Sequence, residues 1–431
     1  MKKRTHRRGR RPAATAAMLL ISAAALAGCQ SASSSDGPVT VRFAVETGFG
    51  KTSPYAQIID GFNKSNTQNI KVELTEIPTD SYFQTVRTMF QAGNAPDVVW
   101  GSPGTGAANA LGVFAQAGQL VDLSKEQWAS ASVPDSAHDL YYVDGKLIGV
   151  PVDVAPIPQV VNATAYKSLH LDFAKTYDQL LQQCAAVRKA GRTSLLGLAG
   201  SQPTNTGLMG LELAASRVYA KDPDWNQKRA SGQVTFAGSQ EWRDTLQAVV
   251  DLHKQGCFQG GAEGGTPETV TPEFTKGKIL GIFAPASIAT DLGSLAPTSQ
   301  ISVAVFPGTT ERDTFLFASP SNALSINASS KHVDAAKALL EYWMQPQQLD
   351  KFAALSGNVS LTSVLHGRPV SKKYAGLATY LTDPARNAPL PSLFWPNPDI
   401  YNKLGVGIQG LLTGQAEVDK VLQDMDAAWQ S

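Results

Sequence analysis

Two short segments of the sequence combine glycines with one aromatic ring and a few polar groups. The first carries Glu46, Thr47 and Phe49, and the second carries Trp100 and Ser102. An aromatic face beside hydrogen-bonding groups suits the non-covalent capture of a small polar molecule. Glycines that only form turns would produce a similar pattern, so each segment taken alone leaves both interpretations open.

The surrounding pattern predicts that both segments follow strands of one sheet. Apolar residues at period two mark strands over 39–45, 70–74 and 98–100, and helical spacing marks helices over 54–62 and 81–90. A β-α-β-α-β order implies a mainly parallel sheet with helices on both faces. Ligands bind beyond the carboxyl ends of such strands, so we expect both segments at one binding edge.

The remainder of the chain is also of mixed α/β character, without an internal repeat. Its patterns predict helices over 177–189, 208–219, 240–255, 333–343 and 418–429, and strands over 277–283 and 301–305.

Motifs of the common enzyme classes are missing from the sequence. It has no Gly-x-Ser-x-Gly, His-Glu-x-x-His, phosphate-loop or Cys-x-x-Cys pattern. We therefore predict no catalytic residue, no cofactor and no metal site. A pair of carboxylates for glycoside cleavage is the remaining enzymatic alternative, because acidic residues are plentiful.

The first residues predict export. A basic stretch from Lys2 to Arg11 precedes an apolar run from Ala13 to Ala27, which suits a signal peptide better than a membrane span. The run ends in Leu-Ala-Gly-Cys, which resembles the lipobox of bacterial lipoproteins and predicts lipidation of Cys29. A plain secretion signal and twin-arginine export, through Arg7-Arg8, are the alternatives. The segment Ser31–Pro38 is typical of a flexible tether.

Charge and cysteine content limit the partners. Of 37 basic and 36 acidic residues, residues 1–28 hold seven basic and none of the acidic ones, so cleavage leaves 30 basic against 36 acidic. An acidic protein is a poor partner for nucleic acid. Outside the cytoplasm, Cys184 and Cys257 are expected to form a disulfide, with two buried thiols as the alternative.

Five segments in order resemble one known family, the bacterial extracellular solute-binding proteins of the maltose-binding type (family 1, sugar type). They are residues 69–72 (NIKV), 91–99 (QAGNAPDVV), 144–151 (DGKLIGVP), 326–331 (INASSK) and 411–414 (LLTG). The second is the most specific. The resemblance covers essentially the whole chain after Cys29.

The resemblance implies a periplasmic-binding-protein-like fold, in which two α/β lobes joined by a hinge enclose a ligand. It also implies a monomeric receptor on the outer face of the cell membrane, held by its lipid anchor, that delivers solute to the membrane subunits of an ABC importer. The expected divisions are 1–28 (signal peptide), 29–38 (tether), 39–150 with 280–343 (first lobe), and 151–279 with 344–431 (second lobe).

Ligand contacts can be carried over by position. Asp153 and Ala155 match the first crossover, Asn205 and Thr206 a loop of the second lobe, and Ser287 the second crossover. The loops at Asn205 and Ala286 lack the aromatic residue expected from the family.

Two aromatic residues near the end of the chain are further candidates. Trp395, in a proline-framed loop with Phe394, could stack on a ligand or fill a core, and Tyr401 matches a stacking position of the family. A mono- or oligosaccharide is the expected ligand. A polyamine, a phosphodiester and an amino-acid-like solute are the alternatives, with a scaffolding or adhesion role as a third class.

Overall fold

The computed structural model describes residues 37–47, 53–191 and 194–430. The predicted signal peptide, the lipidation site Cys29 and the candidate ligand residue Phe49 lie outside these ranges. Within them, no helix has the length and apolar character needed to cross a membrane.

The strands alternate with helices along the chain. The strands are β1 (Val39–Glu46), β2 (Ile70–Ile77), β3 (Val98–Gly101), β4 (Tyr142–Val143), β5 (Lys146–Leu147), β6 (Val150–Pro151), β7 (Val154–Ile157), β8 (Gln159–Asn162), β9 (Ser194–Gly197), β10 (Ile279–Phe283), β11 (Ile301–Ala304), β12 (Leu316–Pro320), β13 (Ala323–Ile326) and β14 (Asn387–Ala388).

The helices cover both large sheets. They are α1 (Pro54–Ser65), α2 (Thr79–Gln91), α3 (Gly112–Gln116), α4 (Gln127–Ser130), α5 (His138–Tyr141), α6 (Ala163–Ser168), α7 (Tyr177–Lys189), α8 (Pro203–Ala214), α9 (Trp225–Ala230), α10 (Gln240–Lys254), α11 (Pro267–Thr275), α12 (Ile288–Leu295), α13 (Val333–Trp343), α14 (Pro346–Ser356), α15 (Leu361–His366), α16 (Ala378–Leu381), α17 (Asp399–Thr413) and α18 (Val418–Trp429). Short 3-10 segments include Lys372–Leu377 and Pro391–Phe394.

The first sheet confirms the predicted β-α-β-α-β unit. Its strand order is β2-β1-β3-β13-β6, and β1 runs parallel to both β2 and β3. Strand β13 is antiparallel to β3 and to β6. The start of β13 therefore lies at the same edge as the carboxyl ends of β3 and β6.

A second sheet has the order β11-β8-β10-β9. Strand β10 is parallel to β9 and antiparallel to β8. The buried apolar side chains form two clusters, and the first of them also includes residues of β8, β10 and β11 of the second sheet. Phe43, Tyr55 and Trp343 lie in the first core, and Trp242 and Leu404 lie in the second. Fully burying one such side chain stabilises the fold by roughly 1.5–3 kcal/mol.

A third, small sheet connects the two large ones and forms the hinge. Its order is β14-β12-β7. Strand β7 lies between β6 of the first sheet and β8 of the second, and β12 lies between β11 and β13. Strand β14 leads from α16, which contributes Leu381 to the first core, to α17 in the second. The chain therefore passes between the large sheets three times at one place, the arrangement of a two-lobed protein.

The sheets place two segments differently from the expected lobe boundaries. The expected first lobe includes residues 280–343, yet β10 and β11 lie in the second sheet. The expected second lobe includes residues 344–431, yet α14 packs on α1, with the Phe352 and Tyr55 rings 4.9 Å apart. The sequence pattern of a short apolar strand or helix does not indicate which of the two cores the element packs into.

The predicted disulfide is confirmed within the second lobe. Cys184 of α7 is bonded to Cys257, which follows α10, with a Cα–Cα distance of 4.8 Å and a sequence separation of 73 residues. Both side chains are buried.

Candidate functional site

Four side chains converge at one edge of the first sheet because of the strand directions. Glu46 ends β1 and Trp100 lies near the end of the adjacent parallel strand β3. Ala323, at the start of β13, pairs with Gly101 on one side and Pro151 on the other. Asp153 follows that proline and Asn322 precedes that alanine, so both reach the same edge. The predicted convergence at one edge of the sheet is therefore confirmed.

A cavity of about 550 Å³ lies at this edge, and we call it the cleft. Both large sheets and the hinge contribute to its walls. The lining residues include Glu46, Tyr55, Trp100, Asn109, Asp153 and Asn322 from the first sheet's side, Pro285, Ser287, Ile288 and Asp291 from the loop after β10 and from α12, Ala155 and Ser319 from the hinge, and Phe352, Leu355, Ser356 and Asn358 from α14 and the residues after it. The volume suits a small ligand.

Asp153 is the most heavily bonded side chain of the cleft. Its Oδ2 accepts hydrogen bonds from Ser356 Oγ at 2.7 Å and Asn358 Nδ2 at 2.9 Å, and its Oδ1 accepts one from Ser321 Oγ. The main-chain nitrogen of Ser321 also donates to the Asp153 carbonyl oxygen at 3.0 Å. One carboxyl group thus connects two hinge crossings with the turn after α14.

Burial and hydrogen bonding act in opposite directions on Asp153. Its side chain is 1% exposed. Removal from water raises the pKa of the carboxyl group, whereas the three side-chain hydrogen bonds lower it, and the effect of burial is the larger. The Asp153 carboxyl group is almost fully buried, so loss of its hydrogen bonds should be costly.

Glu46 is the second perturbed carboxyl group. Partial burial at the end of β1 raises the pKa of Glu46 to about 7. Its side chain lines the cleft, where a bound hydroxyl or amine could donate a hydrogen bond to it.

The described lining of the cleft is acidic and polar. Glu46, Asp153 and Asp291 supply carboxylates, and no Lys, Arg or His occurs among the described lining residues. Such a surface favours ligands that donate hydrogen bonds and disfavours anions.

The aromatic rings of the cleft are largely covered by protein. Trp100 is 3% exposed and packs edge-on against Tyr82 at 5.3 Å, while Tyr55 and Phe352 are almost fully buried. Apolar exposure comes instead from Ile288 at 38% and Leu355 at 37%. Among the described residues, aliphatic side chains thus present most of the apolar contact surface.

Several predicted ligand residues do line the cleft. Glu46, Trp100, Asp153, Ala155 and Ser287 all belong to its walls.

Two more predicted residues lie beside the cleft. Ser102 donates from Oγ to Oδ1 of the lining residue Asn109 at 2.8 Å. The Thr47 carbonyl oxygen accepts a hydrogen bond from Thr79.

Four other predicted ligand residues are not among the residues that line the cleft. The side chain of Asn205 bonds the main chain at Ala199 and Phe283, and Thr206 is buried with its hydroxyl donating to the Gly405 carbonyl oxygen at 2.8 Å. The hydroxyl of Tyr401 donates to the Thr204 carbonyl oxygen at 2.7 Å.

Trp395 is the clearest of these corrections. Its ring is 0% exposed in the second core, where Phe236 packs against it at 5.7 Å. The interpretation of Trp395 as a core residue is therefore the right one, and its stacking on a ligand is excluded in this conformation.

Sequence reasoning missed several lining residues. Asn109 is held by Ser102, seven residues before it, and Asn322 immediately precedes β13. Asp291 lies on α12, in the first turn. Asp291 could have been found from the sequence, because it follows an apolar strand. Asn322 could not, because a residue that precedes an antiparallel strand reaches this edge only through the order of the strands in the sheet.

Within the described ranges, no group of three or more His, Cys, Asp or Glu residues could hold a metal ion.

Comparisons with known proteins agree on one family. The sequence matches the profile of bacterial extracellular solute-binding proteins over residues 57–379, more than half of the chain. No curated protein matches the sequence.

Solved structures share the fold. RafE in complex with raffinose superposes with a TM-score of 0.74 at 22% identity, covering 91% of this chain and 98% of that chain. The apo form of RafE from Streptococcus pneumoniae gives 0.73 at 22% identity, covering 91% and 97%. A sugar transporter protein from Bacillus licheniformis in complex with stachyose gives 0.69 at 19% identity, covering 90% and 99%.

Proposed function

Because the chain belongs to the family of bacterial extracellular solute-binding proteins, we propose that it captures a neutral mono- or oligosaccharide for an ABC importer. The observation that carries the proposal is the cleft between the two sheets, which combines carboxylate, amide and hydroxyl groups with aliphatic surface. Sugar hydroxyls need paired donors and acceptors, and sugar C–H patches need apolar contact.

The ligands named for proteins of the same fold support this class. They include raffinose, stachyose, chitin oligosaccharide and cyclic maltosyl-maltose. At 17–22% identity these proteins support the class of ligand and leave its identity to experiment.

Ligand capture would operate through the three hinge strands. A solute between the lobes contacts both walls only when they are close together, so binding favours the closed arrangement. The closed form would be the one that the importer's membrane subunits recognise. Lipidation at Cys29 would keep the receptor at the outer face of the cell membrane.

The test is a ligand screen followed by titration. Raffinose, stachyose, maltose and glucose are compared with spermidine and glycine by thermal shift, and positive ligands are titrated by calorimetry. A ligand at a hundredfold excess over its Kd adds about 2.7 kcal/mol of stability. A shift with spermidine or glycine and with none of the sugars would contradict the proposal.

Variants then locate the site. Asn322→Ala and Asp291→Asn each remove polar groups of the cleft, and each should weaken sugar binding by about tenfold. Asn402→Ala, at an exposed position of α17, is the control and should bind as the wild type does. Release of shorter saccharides during incubation with stachyose would reveal an enzyme instead.

A further inference from the structure

A second cavity, of about 770 Å³, lies beside the hinge, and five basic side chains belong to its lining. We call it the basic groove. The basic residues in its lining are Lys175, Arg312, Lys372, Lys373 and Arg386. Glu311 is the one acidic residue among the described residues of the lining.

This concentration of positive charge is notable because the chain after residue 28 has more acidic than basic residues. After residue 28 the sequence has 30 basic and 36 acidic residues, yet five basic residues and one acidic residue surround this cavity. Lys175 lies 3.7 Å from Glu311, and this exposed pair contributes little to stability. Within the described chain, the other four cations have no carboxylate within ion-pair distance.

The basic groove is built from several elements. Ser302 and Val303 belong to β11, the edge strand of the second sheet. Another part of the wall is the segment Lys372–Leu377, whose Tyr374 and Leu377 lie in the same apolar cluster as Val303. Arg386 directly precedes the hinge strand β14. An occupant would therefore touch the edge strand of the second sheet, the segment Lys372–Leu377 and the residue that precedes the hinge strand β14.

Arg386 is held in place but retains a free donor. Its guanidinium group lies over the Tyr380 ring at 4.1 Å, and Nη2 donates to the Glu311 carbonyl oxygen at 3.3 Å. Its buried Nε has no hydrogen-bond partner among the described residues. The fixed guanidinium therefore brings a positive charge to the groove.

Lys373 adds a partly enclosed positive charge. Its ammonium group contacts the Thr290 hydroxyl and lies 5.0 Å from the centre of the Tyr374 ring. Burial lowers the pKa of Lys373, and the charge of Asp291 partly offsets this effect. Lys373 is thus a lining residue of the groove whose ammonium group already contacts Thr290.

We propose that the basic groove binds a phosphate-type oxyanion, either free in solution or as a lipid headgroup. Arginine and lysine are the side chains that bind phosphate most effectively, and here they converge from several elements on one cavity. The groove and the cleft share no described lining residue, and the lining of the cleft carries carboxylates and no cation.

The first experiment is a calorimetric titration of the full mature chain with inorganic pyrophosphate. The double variant Arg312→Gln/Lys372→Gln removes two exposed charges of the groove and should weaken binding at least about tenfold. The control double variant Arg87→Gln/Lys254→Gln removes the same types of exposed charge elsewhere and should bind like the wild type.

The second experiment separates the two sources of the anion. Sedimentation of the same proteins with phosphatidylglycerol vesicles is compared with sedimentation with phosphatidylcholine vesicles. If more wild-type protein sediments with phosphatidylglycerol than with phosphatidylcholine vesicles, and only the groove variant loses this difference, the lipid headgroup is a ligand. If pyrophosphate binds and the two kinds of vesicle sediment the same amount of protein, the ligand is a free anion. The proposal is wrong if neither pyrophosphate nor anionic vesicles bind, or if both double variants lose binding equally.

Discussion

Thr105 donates a hydrogen bond from Oγ1 to the main-chain carbonyl oxygen of Trp395, at 2.9 Å and across 290 residues of sequence. The main-chain nitrogens of Thr105 and Gly106 also donate to the Leu393 carbonyl oxygen, each at 3.2 Å. Phe394 packs against the first core and Trp395 lies in the second. Adjacent aromatic side chains of one proline-framed loop are therefore held by different cores.

The close approach of these two loops leads to a first prediction. A Cβ atom at Gly106 would lie 1.8 Å from the Ser392 carbonyl oxygen, so Gly106→Ala must push the loops apart. We expect a loss of about 1–3 kcal/mol in the free energy of unfolding, measured by urea denaturation. Gly260→Ala is the control, because nothing lies within 4 Å of that position. Equal stability of the two variants would contradict the role given to this contact.

The network at Asp153 leads to a second prediction. Asp153→Asn replaces a carboxylate oxygen that faces donor groups with an NH₂ group, so at least one buried donor loses its acceptor. We expect a loss of about 2 kcal/mol in the free energy of unfolding.

A matched variant tests whether that loss belongs to the network. Asp291→Asn makes the same chemical change at an exposed position of the cleft, and its stability should stay close to that of the wild type. Unchanged stability of Asp153→Asn would mean that the carboxyl group does not hold the hinge crossings together.

The Glu46 carboxyl group predicts a specific dependence on pH. Its pKa in the folded protein is about 7, above the ordinary value of 4.5, so in this window the folded state keeps a proton that the unfolded chain releases. The contribution of this proton to the free energy of unfolding is complete below the ordinary pKa of 4.5, and it is lost as pH rises through the folded-state pKa of about 7.

Comparison with Glu46→Gln isolates this effect. The unfolding free energy of the wild type should fall relative to that of the variant as pH rises from about 5 to about 8. Glu76→Gln, at an exposed position of β2, should show no such trend. A difference between wild type and Glu46→Gln that is constant with pH would show that Glu46 titrates normally.

The disulfide leads to a fourth prediction. The Cys184–Cys257 bond closes a loop of 73 residues, and on the chain-entropy model its removal costs about 4 kcal/mol. Cys184→Ala/Cys257→Ala should lower the midpoint of urea unfolding by a corresponding amount. Thiol titration of the unreduced, denatured wild type should find no free thiol from this pair. Two free thiols would contradict the disulfide between Cys184 and Cys257.

The order of local elements was predictable from sequence because its signals are local. Alternating apolar residues around Val41 and helical spacing around Ile58 fit only one kind of element each, and the predicted strands indeed place Glu46 and Trp100 at one edge. The leader and Cys29 are likewise read from sequence alone, and their roles remain predictions.

Tertiary structure alone decided which side chains meet in the cleft. Trp395 satisfies the requirements of a stacking surface and of a core residue equally well, since both depend on removing the same ring from water; only the packing of Phe236 against it separates the two. Asp153, Ser321 and Asn358 come from three distant parts of the sequence, and their hydrogen bonds exist because the hinge strands bring those parts together. Such contacts depend on the path that the chain takes between the two cores. The pattern of residues within a single helix or strand does not encode that path.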